Sequence, residues 1–422
     1  MMNKDKRLRK RRAREKRLKF YGIVSIGIAL MMLVTLLSSI ALNGYTAMQQ
    51  AYIPLKIMVS SEKLLNSDGE VDAQKALLFN WDSKVKKAFR ANFPEVKSRS
   101  DKKELNRLIS SNSGYDVKQF FIKNVDAFNN ERVIWITASD DVDQYLKGRF
   151  NTDIPEEDRR LTDKQLKWID GMRSDGLVKL KFNKNFFTSA DSREPESSGI
   201  LGAVVGSALT MFVTILFALP LAVMASIYLE YFAKPGRVTD FIEININNLA
   251  AVPSIVFGLL GLALFLSFFG LPRSIPLVGG MVLALMTIPT VIIATRASIR
   301  AVPPSIKDAA LGLGASNMQA AFHHVVPLAM PGILTGTIIG IAQALGETAP
   351  LLMIGMVAFI IDIPSGFTSP STALPVQIFM WADSAERAFY ERSSLAIMFL
   401  VVFLILINLT AVILRRRFEK KW

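Results

Sequence analysis

The strongest constraint on this chain is Phe20 to Leu42, 23 residues without a single charged side chain. At ~1.5 Å per residue a helix of that length crosses a hydrocarbon core of ~30 Å. The apolar region of a cleaved signal peptide is shorter, about 7 to 15 residues, so an uncleaved span is expected. Five more apolar segments follow, at Ile200–Tyr228, Asn248–Phe269, Leu277–Thr295, Gly332–Ile360 and Leu395–Leu414. Each is interrupted by Pro, Gly or polar residues, as in helices that pack in a bundle and satisfy freed backbone groups there. Pro253, Ser254 and Pro289 are such interruptions, and Ile242–Leu249 reads as an interfacial helix leading into the third span. The pattern predicts an all-α membrane protein of six transmembrane helices, with a soluble domain inserted after the first.

Net charge is +14, which raises the question of a nucleic-acid partner. Residues 1–20 carry 11 basic and 2 acidic side chains, and residues 415–422 carry 5 and 1, so the excess sits at the two ends. A groove for DNA or RNA is not divided between two short tails that flank apolar spans, whereas cytoplasmic anchoring predicts that division. The expected organisation is a basic cytoplasmic tail (1–19), the first transmembrane helix and its exit (20–53), an extracytoplasmic soluble domain (54–196), the main transmembrane domain (197–414) and a second basic cytoplasmic tail (415–422). Six crossings return the C-terminus to the cytoplasm. The same count places Lys234, Arg237, Arg296, Arg300 and Lys307 inside, and only Arg273, Arg387 and Arg392 outside. The chain has no cysteine and no G-x-x-x-x-G-K-[ST] phosphate loop, so any ATP that drives it is bound by another chain.

The 54–196 segment is long enough to bury a core of its own. Its patterning predicts helices over Val71–Arg90, Lys102–Ser110, Val117–Phe128 and Thr162–Met172, with strands at Arg132–Thr137 and Leu177–Phe182, an α+β composition. Trp381 and Tyr390 are placed in an aromatic belt at the outer boundary.

Residues 303–327 form the polar element between the fourth and fifth spans. Pro303 and Pro304 open a helix that ends at Gly312 and Gly314, and Ser316 with Gln319 has capping-box spacing for a second helix running towards Pro327. Asp308, Ala309, Ala310, Gly314, His324, Val326 and Pro327 fall at the positions of the E-A-A, G and I-x-L-P residues of the coupling loop of ATP-binding-cassette importers, with Asp, His and Val departing from the usual Glu, Ile and Leu. Gly346, Glu347, Thr348, Ala349 and Pro350 spell GETAP. With that motif, 199–414 resembles the phosphate-transport (PstA) family of type I importer permeases, and 54–195 lies outside the resemblance. The resemblance implies the MetI-like permease fold, phosphate as substrate and a bacterial inner-membrane location. It also implies a second PstC-like permease, a PstB-like ATPase that holds ATP and Mg and grips the loop, and a PstS-like extracytoplasmic binding protein. No cofactor is expected on this chain.

Gly332, Gly336, Gly340 and Ala344 recur every fourth residue, a stripe that lets another helix approach. A helix continued at 100° per residue puts Glu347 about 20° from Gly340. A charge in a membrane costs on the order of 2.5–3.5 kcal/mol even on a mild insertion scale, so Glu347 is expected to face a cavity or a cation. Members of the family it resembles commonly have Arg four residues before this Glu, where this chain has Gln343. Arg296, or an arginine of the partner permease, is therefore the expected partner, and Ser254, Gln343, Thr348, Glu347 and Arg296 are the expected pathway residues. His323 and His324 are the only histidines and do not share a helix face, so no metal site is expected. The alternatives are a permease for another small oxyanion, a membrane-anchored sensor, which accounts for the large outer domain but not for the hairpin followed by GETAP, and an ion-gradient transporter, which accounts for the intramembrane acid.

Overall fold

A computed structural model describes residues 2–66 and 71–418; Met1 and residues 419–422 of the expected basic tail lie outside the described residues. The basic stretch and the first apolar stretch form one helix, α1 (Met2–Gly44), which a 3₁₀ turn (Tyr45–Met48) links to β1 (Gln49–Ile57). β1 is the centre of an antiparallel sheet with β2 (Arg132–Thr137) and β3 (Lys179–Phe182), in the order β2-β1-β3. The expected domain boundary at residue 54 therefore falls inside its central strand. Pro54 argues against a central strand, because proline cannot donate to the ladder. It is accommodated because β3 pairs only with Gln49–Tyr52, so beyond Tyr52 that side of β1 is an open edge.

Ala51, Ile53, Leu55 and Ile57 alternate into the core of the soluble domain, beneath helices α2 (Ala73–Leu78), α3 (Trp81–Ala91), α4 (Arg99–Leu105), α5 (Ser113–Lys123), α6 (Asp140–Leu146) and α7 (Asp163–Ser174). The single helix expected over Val71–Arg90 is two, because Asp72 and Asn80 each cap a new start: Asp72 accepts from the amides of Gln74 and Lys75, and Asn80 from that of Ser83. The β2 expectation matches the strand, and β3 starts two residues later than expected.

A short α8 (Lys184–Thr188) leads to the bundle, which opens with α9 (Leu201–Tyr231). The next expected span is broken. α10 (Arg237–Ala250) turns by 104° at Ala251–Pro253 into α11 (Ser254–Gly261), which continues as a π-helix to Phe268. Then come α12 (Pro276–Arg300), α13 (Pro304–Gly312), α14 (Asn317–Gln319), α15 (Val326–Gly346), α16 (Ala349–Met353), α17 (Leu374–Ala382) and α18 (Arg387–Phe418). Five helices among the described residues are long and apolar enough to cross a membrane, and the bent pair makes a sixth crossing if it counts as one span. The expected fifth span over Gly332–Ile360 stops at Gly346, where Glu347 turns extended and Pro350 follows.

α9, α12 and α15 form the packed centre. A Cβ on Gly280 would overlap the Val213 side chain, and the hydroxyls of Thr214 and Ser226 donate across to the carbonyls of Gly280 and Ile292, both at 3.2 Å. The helix that uses the stripe on α15 is α12. Gly332 faces Ser298, Gly336 faces Ala294, and Gly340 faces Thr287 and Val291. This stepwise pairing makes the two helices antiparallel.

The soluble domain is fastened to the start of α18 by buried charge. Lys147 Nζ lies 2.6 Å from Asp143 and 3.1 Å from Glu391, whose other oxygen accepts from Gln144 at 2.6 Å. Arg392 donates to Gln50 at 2.7 Å and to the Ser198 carbonyl at 2.8 Å. Arg392 was expected outside the membrane, and it lies on the soluble-domain side of the bundle. Trp381 is not in a lipid-facing belt: it is buried and donates its indole N–H to Asp191 at 3.0 Å, whereas Tyr390 is exposed. A tryptophan next to a carboxylate can satisfy its N–H inside the protein and has no need of the interface.

Candidate coupling and translocation sites

The hairpin after α12 is built by local rules. Pro303 precedes α13 and Pro304 begins it, and Gly314 takes φ +89°, the left-handed turn residue the sequence requires. Ser316 Oγ accepts from the Gln319 amide while Gln319 Oε1 accepts from the Ser316 amide, a complete capping box. The second arm does not stop at Pro327. It runs from Asn317 through a π-helical stretch (Ala320–Val325) into α15, so hairpin and span are one continuous helix to Gly346. Pro327 is tolerated because the π-helical register ends just before it, leaving no helical donor to replace.

Ala321, Val325, Val326, Ala329 and Ile333 seat this arm on Ile227 of α9 and Ile299 of α12. Lys307 lies 4.8 Å from the centre of the Tyr231 ring, which ties the first arm to the end of α9. Asp308, Ala309, Gly314 and Pro327 are exposed, whereas Ala310 is buried against the second arm. The sequence reading missed what stands beside them. Leu313 is 91% exposed, and Met318 and Phe322 are also exposed, so the outer surface of a polar elbow carries three large apolar side chains. A search for uncovered apolar residues in a polar loop would have found Leu313 and Met318; Phe322 needed the helix phase.

Glu347 is half-buried at the break between α15 and α16; its amide donates to the Ala344 carbonyl at 3.2 Å, and its carboxylate has no hydrogen-bond or ion-pair partner among the described residues. Thr348 is half-buried beside it and Gln343 is exposed. Arg296 is not its partner. Arg296 Nε lies 2.6 Å from Glu230 on α9, and its Nη2 lies 2.5 Å from Glu243 on α10, with Arg300 also on Glu230 at 2.9 Å. The stripe pairing explains the separation. Continued past Gly340, it sets Glu347 level with about residue 283 of α12, on the order of 20 Å along the helix from Arg296. The helical extrapolation that placed Glu347 beside the stripe fails because the helix ends one residue earlier.

The GETAP segment does meet α11. A Cβ on Gly258 would lie 2.7 Å from Pro350 Cα, and Ser254 is one turn before Gly258 on the same face. Ser254, Thr348 and Glu347 therefore belong to one region of broken helices, the setting in which irregular backbone is tolerated at membrane depth. Gln343 lies one turn earlier on α15, and Arg296 belongs to the opposite end. No cluster of metal-ligating side chains occurs among the described residues, and His323 and His324 are both exposed.

Comparison with known proteins matches the two parts of the chain separately. Residues 198–422 match the family described as binding-protein-dependent transport system inner membrane component, and residues 5–156 match a domain of unknown function, DUF3333. The chain is 30% identical over 222 residues to the phosphate transport system permease protein PstA 1 of Mycobacterium tuberculosis (strain ATCC 25618 / H37Rv), covering 53% of this chain and 71% of that protein. It is 33% identical over 177 residues to the probable ABC transporter permease protein YqgI of Bacillus subtilis (strain 168), covering 42% of this chain and 59% of that relative's length. A chain from the inward-facing MetNI methionine ABC transporter aligns with a TM-score of 0.42 at 17% identity, covering 52% of this chain and 95% of the other.

Proposed function

The chain belongs to the binding-protein-dependent transport system inner membrane component family, and on that premise we propose that it is one permease half of an ATP-driven phosphate importer. It is a multi-pass membrane protein and an importer permease subunit rather than an enzyme. In this reading a second permease completes the pathway and a separate ATPase binds ATP and Mg. A binding protein delivers phosphate from outside, and both termini lie in the cytoplasm of a bacterial inner membrane. The observation that carries it is the elbow at 303–327, which is exposed at its tip and continuous with a membrane helix at its root.

The mechanism follows from that continuity. ATP-driven closure of the partner presses on Leu313, Met318 and Phe322, with Asp308 beside them offering a carboxylate to a cation or hydrogen-bond donor. Because α14, the π-helical stretch and α15 are one rod, the displacement reaches the break at Gly346–Thr348, about 30 residues away in sequence. The rod pivots against α12, where the glycine contacts permit sliding but not separation. At the break, Glu347 and the polar groups of Thr348 and Ser254 change their exposure to one side of the membrane or the other, which is alternating access. Glu347 acts on phosphate indirectly, by orienting a cation supplied by the partner permease.

The test is reconstitution with the partner permease, ATPase and binding protein, measuring phosphate uptake against sulfate and molybdate. Phosphate uptake that requires ATP and is lost in Asp308→Lys supports the reading. Uptake by the chain without the ATPase sinks it in favour of an ion-gradient carrier, and transport that prefers sulfate or molybdate moves the substrate to another oxyanion.

A further inference from the structure

The bent span carries asparagines that neither the elbow nor the packing of the bundle uses. α10 is tied to α12 at two successive levels: Glu243 reaches Arg296, and one turn later Ile246 packs with Ile288, Val291 and Ile292. The helix therefore climbs outward along α12, and Asn248, five residues past Glu243, stands about 7.5 Å deeper than the Arg296 pair. The apolar run of α12 from Pro276 to Thr295 is about 30 Å long, the thickness of a hydrocarbon core, and Asn248 is level with its inner third.

Orientation decides what this amide can meet. Glu243 and Ile246 mark the face of α10 that lies on α12, and at 100° per residue Asn248 points about 170° away from their mean direction. It is exposed and its side chain has no hydrogen-bond partner among the described residues, whereas Asn245 donates to the Phe241 carbonyl at 2.7 Å. Lipid is a poor neighbour for an unpaired amide. The backbone just beyond it is bare as well: Ala250, Ala251 and Pro253 are exposed where the helix breaks. Irregular backbone is tolerated at membrane depth inside protein or against a water-filled cavity. Through Gly258 and Pro350 the same bend is joined to the break that holds Glu347. An uncovered amide, an uncovered backbone break and a second helix break thus occupy one region.

We infer that Asn248, with Ser254 across the bend, is a specificity-determining contact of the transport route that reads the hydrogen carried by a phosphate-class oxyanion; this rests on the transport reading above. At neutral pH phosphate and arsenate keep hydrogen on oxygen, whereas sulfate and molybdate do not. A side-chain amide presents one carbonyl acceptor and two N–H donors, and a hydroxyl can do either, so together they satisfy an anion that both donates and accepts. A guanidinium only donates and cannot tell the two classes apart. An anion without hydrogen leaves the Asn248 carbonyl facing a negative oxygen and unpaired, which is the basis of discrimination.

The experiment reads the route from its inner side, where the selectivity of the binding protein does not intervene. The chain is reconstituted with its partner permease and ATPase facing the bath, with binding protein and labelled phosphate in the vesicle lumen, and ATP-driven release of label is followed while unlabelled anions are added to the bath. Phosphate and arsenate should slow wild-type transport saturably, and sulfate and molybdate should not. Asn248→Ala should need about tenfold more phosphate for the same inhibition and lose the preference over sulfate, and Asn248→Gln, which restores an amide, should recover part of both. If Asn248→Ala does not fold, Ser254→Ala decides by the same shift. Wild-type inhibition by sulfate equal to that by phosphate, or an unchanged profile in the alanine variants, overturns the inference, as it would if phosphate acted only as a product on the ATPase. Loss of the partner permease from the purified Asn248→Ala complex also overturns it, since the amide would then be holding two helices together. ATP-dependent release of label by the wild type keeps the transport reading whatever the inhibition pattern, so the two fail separately.

Discussion

Gly314 has φ +89° and donates its amide to Leu311 at 3.0 Å, so proline there loses both the conformation and the hydrogen bond. Gly314→Pro is expected to cost about 3 kcal/mol or more locally and to abolish phosphate uptake while the chain still inserts in the membrane. Membrane fractionation beside an uptake assay separates the two effects. Three carboxyls of the soluble side give a second residue-scale prediction. Burial pushes Asp116 and Asp140 up to about 6 and Glu196 up to about 7. A folded pKa above the unfolded one means the folded state holds protons that the unfolded chain releases. This contribution is therefore full below about pH 4 and is lost as pH rises through 6 to 7. Thermal unfolding followed by tryptophan fluorescence should show stability falling from pH 5 to 7.5, and Glu196→Gln should flatten that slope by on the order of 3 kcal/mol. At this scale the capping box, the φ of Gly314 and the proline start of α13 were legible, because each depends on residues within four positions of itself. The partners of Arg296 were not, since Glu230 and Glu243 are more than fifty residues from it and nothing local selects them.

The elements that carry the mechanism are two rods and a hinge: α12, α15 and the bend between α10 and α11. A Cβ on Gly336 overlaps the Ala294 methyl, so Gly336→Leu must push α15 off α12, at a cost of roughly 1–3 kcal/mol. The expected readout is an assembled transporter with its ATPase activity no longer stimulated by phosphate and binding protein. Arg296 holds α10 to α12 through Glu243 in a half-shielded site. A double-mutant cycle of Arg296→Gln with Glu243→Gln, read on thermal stability, should give a coupling of about 1 kcal/mol, and additive losses would show that the pair does not hold the bend. Apolar length and periodicity located the spans, but not their breaks. Glu347 follows the end of α15 because the GETAP proline comes three residues later, and the chain bends between α10 and α11 because Pro253 lies between the end of one helix and the start of the next. In both places the hydropathy runs on while the backbone does not.

For the whole molecule, the charge distribution and the fold agree on two ends. Glu230, Glu243, Arg296, Arg300 and the elbow lie together at one end of the bundle, and the soluble domain with Glu391 and Arg392 lies at the other. The soluble domain's existence was legible from composition, but its central strand was hidden by Pro54, and its attachment to α18 depends on pairs such as Lys147 and Glu391, 244 residues apart. The claim on which transport rests is that the elbow is a cytoplasmic surface covered by the ATPase. Because the chain contains no cysteine, Leu313→Cys provides a single thiol at its most exposed apolar point. Its labelling by a membrane-impermeant maleimide should occur in inside-out vesicles stripped of ATPase, not in intact cells, and should fall sharply when the ATPase is added back. Labelling from outside, or labelling that the ATPase leaves unchanged, would contradict the claim.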